Sequence, residues 1–340
     1  MGNVYGPVPS RRLGQSLGVD PIPLKTCNYN CVYCQLGRTR SLTDKRQDFF
    51  PPESILAQVK PALESHRPGE IDYVTFVGQG EPLLCASLGR LIRGVKELTP
   101  LPVAVITNGS LLSLPQVREE LGTAEVAMPS LDAADEMTFR RINRPWPMLH
   151  VKDIVAGLAA FREEFAGQLW IEVMLVKGLN DGEPALLGLR DALAHIHPDR
   201  VHVNVPVRPP AESWVEMPDE AGLMRAVAIL GEAATVVAPY EGTFELPTGL
   251  PLPEAIAEVI RRHPMREDEV LGALRDRDPA PVRAALAELA VSGQARRLEY
   301  RGQVFWRYVG APGSQIQEPR SRRKAGSNPA PGSNIRGGIQ

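Results

Sequence analysis

The sequence predicts an α/β fold: a partial (β/α)6 barrel followed by a small C-terminal winged helix-turn-helix domain. Six apolar, β-branched runs alternate with longer segments whose apolar residues recur every three or four positions, which is the pattern of parallel βαβ units. A Pro- and Gly-rich segment interrupts this alternation near residue 240. Three short helical patterns and a two-strand pattern follow it.

The predicted elements alternate along the first 206 residues. The predicted strands are LGVDPI (17–22), IDYVTFVG (71–78), PVAVITN (102–108), AEVAMPS (124–130), LWIEVMLV (169–176) and RVHVNVP (200–206). The predicted helices are PESILAQVKPALESH, ASLGRLIRGVKEL, LLSLPQVREEL, VKDIVAGLAAFREEF and EPALLGLRDALAHI. In parallel α/β folds the loops after the strands carry the chemistry, so we expect the functional residues there.

Composition narrows the class of protein. The chain has 340 residues, 43% hydrophobic residues and a net charge of -2, which describes a globular protein rather than one coated in nucleic acid. The start lacks an apolar signal region, and no stretch approaches the roughly 18 apolar residues of a membrane span. We therefore expect a cytoplasmic protein without membrane contact. Four cysteines are too few for a disulfide framework.

Polar motifs follow four successive predicted strands. They are the cysteines Cys27, Cys31 and Cys34 after the first strand, Gln79-Gly80-Glu81 after the second, Asn108 after the third, and Ser130 and Asp132 after the fourth. Because the carboxyl ends of parallel strands meet at one rim, we expect these groups to share a site.

The three clustered cysteines indicate a soft metal centre. Their spacing lets three thiolates converge on one centre, whereas structural zinc usually takes four protein ligands. The nearest histidine, His66, has no ligand-like spacing to them. A [4Fe-4S] cluster with one open iron fits this donor set best, and zinc or core thiols are the disfavoured alternatives. We expect Cys85 to be a buried structural thiol.

The motif C-x-x-x-C-x-aromatic-C, followed by a strand that ends in Gly-Glu-Pro, resembles the radical S-adenosylmethionine (SAM) superfamily over residues 4–240. EVMLVKGLND and NVPVRPP resemble its wyosine-synthase-like iron–sulfur oxidoreductase branch. The resemblance implies a [4Fe-4S] cluster on the three cysteines, with SAM on the open iron. It also implies reductive cleavage of SAM to a 5′-deoxyadenosyl radical, hydrogen abstraction from a substrate, and an electron donor such as flavodoxin or ferredoxin.

The resemblance also implies roles for single residues. It places Tyr33 and the backbone near Val205 beside the adenine, with Asn108 on the same rim. It assigns the Gly80 carbonyl and the Glu81 carboxylate to the methionine ammonium. It assigns Ser130 and Asp132 to the ribose. Each motif also has a structural interpretation. Gly80-Glu81 and Asn108 fit turns, and Ser130 and Asp132 fit the start of a helix. Catalytic residues beyond the cluster are not identified.

Two further basic groups have open interpretations. Arg11 and Arg12 are either surface charges, which we favour slightly, or ligands of an anionic substrate. The predicted wing carries Arg296, Arg297, Arg301 and Arg307 against Glu299 alone. It is either a contact for nucleic acid or acidic peptide, or part of a structural cap built on Trp306. The predicted recognition helix offers only Arg283 beside Glu288, which poorly supports DNA binding.

The predicted organisation is a barrel at 1–240, a linker at 241–252, a winged helix at 253–309 and a disordered tail at 310–340. We expect an enzyme of unidentified substrate, RNA or peptide among the options. A second all-cysteine cluster is excluded because only Cys85 remains. The alternative is a metal-sensing winged-helix regulator that binds DNA. The four loop motifs argue against it, because a sensor has no use for a rim that binds ribose and ammonium.

Overall fold

The computed structural model of the chain describes residues 2–237, 250–262, 264–272 and 279–310. Most of the predicted linker and all but the first residue of the predicted tail lie outside the described residues. Residues 238–240, the last three of the predicted barrel, also lie outside the described residues. No helix in the described ranges is long and apolar enough to cross a bilayer.

A mostly parallel sheet organises residues 2–237. Its strands, with one small separate pair, are β1 (Val4–Ser10), β2 (Gly14–Val19), β3 (Thr26–Cys27), β4 (Ser41–Leu42), β5 (Tyr73–Phe76), β6 (Val103–Thr107), β7 (Val126–Pro129), β8 (Gln168–Met174), β9 (Arg200–Asn204) and β10 (Ala234–Val236). The sheet order is β1-β2-β5-β6-β7-β8-β9-β10, and β3 pairs with β4. Neighbours from β2 to β10 are parallel.

All six predicted strands are present, but the predicted strand number is wrong because two further strands extend the sheet. β1 forms an antiparallel hairpin with β2, and β10 adds a parallel edge to β9. β1 reads VYGPVPS, whose Gly and two prolines disguise a strand, and a sheet edge is where proline is tolerated. β10 has three residues, too few for a periodic signal.

Helices cover the convex face of the sheet. They are α1 (Pro52–Glu64), α2 (Leu88–Leu98), α3 (Pro115–Leu121), α4 (Glu136–Ile142), α5 (Val151–Glu164), α6 (Glu183–Ile196) and α7 (Glu220–Leu230). The five predicted helices are present, although α3 begins only at Pro115. The sequence interpretation missed α7, and its placing of a helix start at Ser130 and Asp132 is wrong, because α4 begins at Glu136. Both α4 and α7 have an aspartate N-cap, Asp135 and Asp219, whose carboxylate accepts a hydrogen bond from a first-turn amide.

The sheet is strongly curved. Arg12, in the β1–β2 turn, forms an ion pair with Glu172 of β8. β2 and β8 are separated by four strand spacings in the sheet order, about 19 Å in a flat sheet, which two side chains do not bridge. The concave face carries Trp170 and Glu172 of β8 and His202 and Asn204 of β9, at alternating positions. Curvature therefore encloses polar side chains at its centre.

The described residues after 250 form a second unit with its own core. Its elements are α8 (Leu252–Arg262), β11 (Met265–Arg266), α9 (Glu267–Gly272), α10 (Pro279–Val291), β12 (Ala295–Tyr300) and β13 (Gln303–Tyr308). The strand order is β11-β13-β12, all antiparallel. The three predicted helices and the predicted turn at Arg301-Gly302 are present, and both turn residues have positive φ (52° and 73°). The core includes Trp306, as the cap interpretation requires.

This second unit docks on both margins of the curved sheet. At the β1 margin the Arg262 guanidinium lies 3.9 Å from the centroid of the Tyr5 ring and donates to the Gly2 carbonyl at 3.1 Å. After β9, the Tyr300 hydroxyl donates to the Pro206 carbonyl at 2.7 Å.

Two of the predicted wing arginines take part in this docking. Arg307 donates to the Pro209 and Pro210 carbonyls, and Arg301 contacts Met217. Arg296 and Arg297 are exposed. Two of the four wing arginines therefore contact the first unit, which favours the structural interpretation of the wing without excluding a ligand contact at Arg296 and Arg297.

The docking predicts that Arg262→Ala destabilises the chain. The change removes a cation–π contact and a hydrogen bond from a side chain that is 6% exposed, and we expect a loss of about 2–3 kcal/mol of unfolding free energy. Urea denaturation followed by fluorescence measures it. Arg93→Ala, at an exposed position of α2, is the matched control and should change stability by less than about 0.5 kcal/mol. Equal effects of the two variants would contradict the docking.

Candidate active site

The three clustered cysteines lie in the segment that follows β2, at the carboxyl end of the sheet: Cys27 is the last residue of β3, and Cys31 and Cys34 are in the loop after it. Each is partly exposed. Burial of the sulfur raises the pKa of Cys27 and of Cys31, and the nearby carboxylates of Glu81 and Asp132, respectively, raise it further. The negative charges of the neighbouring thiolates raise the pKa of Cys27 and of Cys31 further. Such thiols ionise only when a cation compensates them.

Amide groups donate to two of the sulfurs. The Tyr29 amide nitrogen is 3.4 Å and Asn108 Nδ2 is 3.8 Å from Cys27 Sγ. Asn143 Nδ2 is 3.6 Å from Cys31 Sγ. N–H groups directed at sulfur stabilise thiolate and tune the potential of an iron–sulfur cluster.

Other segments hold the cysteine loop in place. Asn28 Nδ2 donates to Ser110 Oγ at 2.6 Å, and the Val32 amide donates to the Ile142 carbonyl at 2.9 Å. The Glu212 amide donates to the Val32 carbonyl at 3.0 Å. The loop is thus tied to the segments that follow β6, α4 and β9.

Glu212 adds an electrostatic clamp to these bonds. Its buried carboxylate accepts from Arg38 at 2.9 and 3.0 Å and pairs with Arg144 at 2.5 Å. The hydrogen bond from Arg38 is the largest cause that lowers the pKa of Glu212, so this carboxylate is ionised at neutral pH. The clamp joins the end of the cysteine loop to Arg144, the second residue after α4.

Gly80 and Glu81 lie against the start of the cysteine loop. The Glu81 amide donates to the Thr26 carbonyl at 3.0 Å. A Cβ on Gly80 would lie 1.7 Å from that carbonyl oxygen, so only glycine fits. The Glu81 carboxylate caps a short 3-10 helix through the Leu83 amide at 2.9 Å and accepts from the Asn108 amide at 2.7 Å. The interpretation of Gly80-Glu81 as a turn at a helix start is therefore observed, because Glu81 is the N-cap of this helix.

Asn108 connects the third predicted motif to the cysteines. Its Nδ2 donates to Asn28 Oδ1 at 2.7 Å, while its own Oδ1 accepts from the Ser110 amide at 3.0 Å. The second bond is the turn geometry expected of Asn before Gly109. The turn interpretation of Asn108 is therefore observed, and its assignment to the SAM rim stays a prediction.

Asp132 is the centre of a buried hydrogen-bond network and is 2% exposed. Its Oδ2 accepts from the Tyr33 hydroxyl at 2.5 Å and from Asn143 Nδ2 at 2.6 Å. Its Oδ1 accepts from the Met174 amide at 2.8 Å. Burial raises the pKa of Asp132. Tyr33 and Asp132, assigned to adenine and ribose from the sequence, are thus hydrogen-bonded to each other.

Ser130 and Val205 complete the set of predicted site residues. The Ser130 amide donates to the Thr107 carbonyl at 3.0 Å, and within the described ranges its hydroxyl has no hydrogen-bond partner. Val205 is buried, and its carbonyl accepts from the Val207 amide at 2.8 Å. Ser130 is therefore the predicted site residue whose polar side chain is free for a ligand.

Cys85 is more deeply buried than the three clustered cysteines. It is 2% exposed, its sulfur lies 4.0 Å from Asp48 Oδ1, and burial raises its pKa to about 11. Burial agrees with the expectation of a structural thiol.

Sequence interpretation missed Asn28 and Asn143, which position the cysteine loop and donate around it. The signal was present, since both belong to segments singled out for other residues. Of the two open interpretations of Arg12, the slightly favoured one, a surface charge, is wrong: the side chain is 12% exposed and pairs with Glu172.

Three thiols within one loop, with amide donors to two of the sulfurs, form a donor set that suits an iron–sulfur cluster. Among the described residues, no group of three His, Cys, Asp or Glu side chains is arranged to hold a single metal ion.

Comparison with known proteins agrees with this geometry. Residues 22–189 match the Radical SAM superfamily. Three cysteines at the carboxyl rim of a parallel α/β sheet, together with this match, define a radical SAM domain.

Relatives define the family more narrowly. The chain is 33% identical over 330 residues to the UPF0026 protein MJ1312 of Methanocaldococcus jannaschii, an alignment that covers 96% of this chain and 99% of the relative. The chain belongs to the UPF0026 family. It is also 42% identical over 200 residues to the GTPase Obg of Brachyspira hyodysenteriae, where 59% of this chain covers 29% of the relative. The structure of SuiB from Streptococcus suis bound to S-adenosylmethionine aligns with a TM-score of 0.47 and 18% identity, over 62% of this chain and 45% of that chain.

The close approach at Gly80 predicts that Gly80→Ala displaces the loop after β5 from the cysteine loop. Relief of a 1.7 Å contact with backbone costs about 3 kcal/mol or more, seen as a lower melting temperature and as lost iron in the reconstituted protein. Gly188→Ala is the control, because its Cβ would meet Ala134 at an ordinary 3.5 Å. This helical change should be neutral or stabilising by up to about 1 kcal/mol. Iron loading and stability of Gly80→Ala equal to those of Gly188→Ala would contradict the observed packing.

Proposed function

We propose that this chain is a radical SAM enzyme in which Cys27, Cys31 and Cys34 hold a [4Fe-4S] cluster whose fourth iron binds SAM. The observation that supports it best is the cysteine loop itself, with three cysteines within eight residues and amide donors on two of the sulfurs. When bound, the cluster and SAM supply one-electron reduction of the sulfonium and a 5′-deoxyadenosyl radical that abstracts hydrogen from a substrate.

In this proposal Glu81 both fixes the rim and holds the amino group of SAM, with the Gly80 carbonyl beside it. Burial raises the pKa of Glu81 to about 7 despite hydrogen bonds from Thr107, Asn108 and Leu83. A carboxylate that is costly to ionise gains from a cationic partner, so the charge of Glu81 favours a ligand ammonium.

Asp132 orients Tyr33 toward the adenine and lies next to the ribose, and the free Ser130 hydroxyl binds a ribose oxygen. Asn108 and the backbone near Val205 line the nucleoside. These assignments follow the resemblance, and the hydrogen bond between Tyr33 and Asp132 supports the pairing of these two side chains.

The division into units is also part of the proposal. The first unit is a partial radical SAM barrel that ends near residue 240, and residues 253–309 are a winged helix. The order α8-β11-α9-α10-β12-β13, with an antiparallel three-stranded sheet, supports the winged-helix assignment. The wyosine-synthase-like branch rests on residues 172–181 and 204–210. An electron donor such as flavodoxin or ferredoxin is required by the chemistry.

The regulator alternative is disfavoured. On α10, the helix that would enter a DNA groove, Arg283 lies 4.0 Å from Glu267, and two arginines of the wing contact the barrel. RNA or peptide capture through the free wing loses support for the same reason. We propose instead that the docked C-terminal unit closes the barrel.

The proposal predicts that Cys27→Ala, Cys31→Ala and Cys34→Ala each abolish the cluster, because each removes one of three protein ligands. Iron, sulfide and visible absorption of anaerobically reconstituted protein measure the loss. Cys85→Ala is the matched control and should keep full iron content, because the Cys85 thiol is buried and lies beside Asp48. Complete iron loss from Cys85→Ala would contradict a three-cysteine site.

A second test separates the two roles of Glu81. Glu81→Gln should raise the dissociation constant of SAM roughly ten- to a hundredfold, because loss of a charged partner costs about 1.5–3 kcal/mol. Thr107→Val removes the hydroxyl that donates to Glu81 but keeps the carboxylate, and it should change the constant less than about fivefold. Calorimetric titration of cluster-loaded protein decides. Equal losses in both variants would restrict Glu81 to a structural role.

A further inference from the structure

The concave face holds polar atoms that the proposed cofactor site does not use. In the part of the chain that the structure describes, Trp170 Nε1, His202 Nε2 and Asn204 Oδ1 are buried without a hydrogen-bond partner. Their residues are 5%, 8% and 4% exposed. Buried polar atoms without partners are uncommon and mark places where a ligand or water completes the bonding.

These atoms lie close together. The Trp170 and His202 rings are 5.6 Å apart, edge to face. Asn204 Nδ2 donates to Glu172 Oε1 at 2.9 Å, and Glu172 pairs with Arg12. One patch on β8 and β9 therefore presents two ring N–H positions and an amide oxygen, next to a buried ion pair.

Positive charge exceeds negative charge around this patch. Arg12 pairs with Glu172. Arg11 lies beside Arg12 and has no carboxylate partner among the described residues. The Nη1 atom of Arg11 is buried. Burial lowers the pKa of Arg11, and burial together with the charge of Arg11 lowers that of Arg12 to about 9. Even so, both guanidinium groups remain charged at neutral pH.

Arg208 extends the group toward the C-terminal unit. It donates to Gln35 Oε1 at 3.1 Å, and its charge interacts with Arg11 and with Glu269 and Arg266 of the C-terminal unit. The cationic group thus extends from the sheet toward the docked unit.

An uncompensated buried cation is costly, because the charge loses its hydration and gains no ion pair. Neutral His202 adds a donor or an acceptor: burial and the nearby Arg12 lower its pKa to about 4, so it adds no charge. The patch therefore combines surplus cationic groups, neutral N–H donors and one acceptor, the set that binds an oxyanion with a neighbouring hydroxyl.

We propose that Arg11, with Arg12, Arg208, Trp170 and His202, binds an oxyanion, phosphate or carboxylate, of a small-molecule substrate on the concave face. Asn204 Oδ1 accepts from a hydroxyl or N–H of the same molecule. The proposal rests on the proposed function, since it names the substrate class of that active site. It reverses the interpretation of Arg11 and Arg12 as surface charges.

The test uses full-length, cluster-loaded protein saturated with SAM, and titrates inorganic phosphate against sodium chloride of equal ionic strength. We expect saturable binding by calorimetry and a rise in melting temperature. Sodium acetate is titrated in parallel, and the tighter of the two anions identifies the phosphate or carboxylate source. Competition between phosphate and SAM would overturn the proposal, because the anion would then occupy the SAM site.

Variants at Arg11 distinguish a ligand role from a structural role. Without phosphate, Arg11→Gln should raise the melting temperature by about 2–4 °C, because it removes an uncompensated buried charge. It should also weaken phosphate binding at least tenfold. Arg11→Lys should keep most of the affinity, and the exposed-site control Arg93→Gln should change neither quantity.

Two results would overturn the proposal at this residue. One is phosphate binding by Arg11→Gln equal to that of the parent protein. The other is a melting temperature lowered by several degrees in both Arg11 variants, which would make the side chain structural. Iron content and SAM affinity are measured on the same samples. A failure of the cofactor site is therefore seen separately from a failure of the anion site.

Discussion

The shape of the cysteine loop depends on hydrogen bonds that other segments make to it. Within the loop, the Cys34 amide bonds to the Cys31 carbonyl at 3.2 Å, but most polar groups pair with segments distant in sequence. A shared cluster requires the three sulfurs to converge, although burial and neighbouring negative charges oppose the ionisation of Cys27 and Cys31. A chain segment that has so little regular structure holds such an arrangement only when its surroundings fix it.

The surroundings are the ends of parallel strands, which explains why the motifs follow successive strands. Asn108 after β6, Asp132 after β7 and Glu212 after β9 each contact the cysteine loop or a residue bonded to it. Because each also bonds to its own strand-end segment, the curvature of the sheet sets the spacing of the sulfurs. A local change such as a Cβ at Gly80 therefore acts on the site as a whole.

Much of this could be predicted from sequence, because periodicity reports burial and burial follows the strands. The six central strands, the clustering of polar motifs at one rim and the helices of the C-terminal unit are examples. Edge strand β1 escaped detection because its prolines imitate a loop, and β10 because three residues carry no period. Partners across the fold also escaped: nothing near Arg12 in sequence indicates Glu172 of β8, so its burial was visible only in three dimensions.

The account centres on a cluster with one iron open to SAM. Electron paramagnetic resonance of the dithionite-reduced, reconstituted full-length protein, recorded with and without SAM, tests this most directly. The account predicts a [4Fe-4S] signal whose g-values shift when SAM is added, because SAM binds at the iron that no cysteine holds. A signal unchanged by saturating SAM, or a protein that retains no iron, would contradict it.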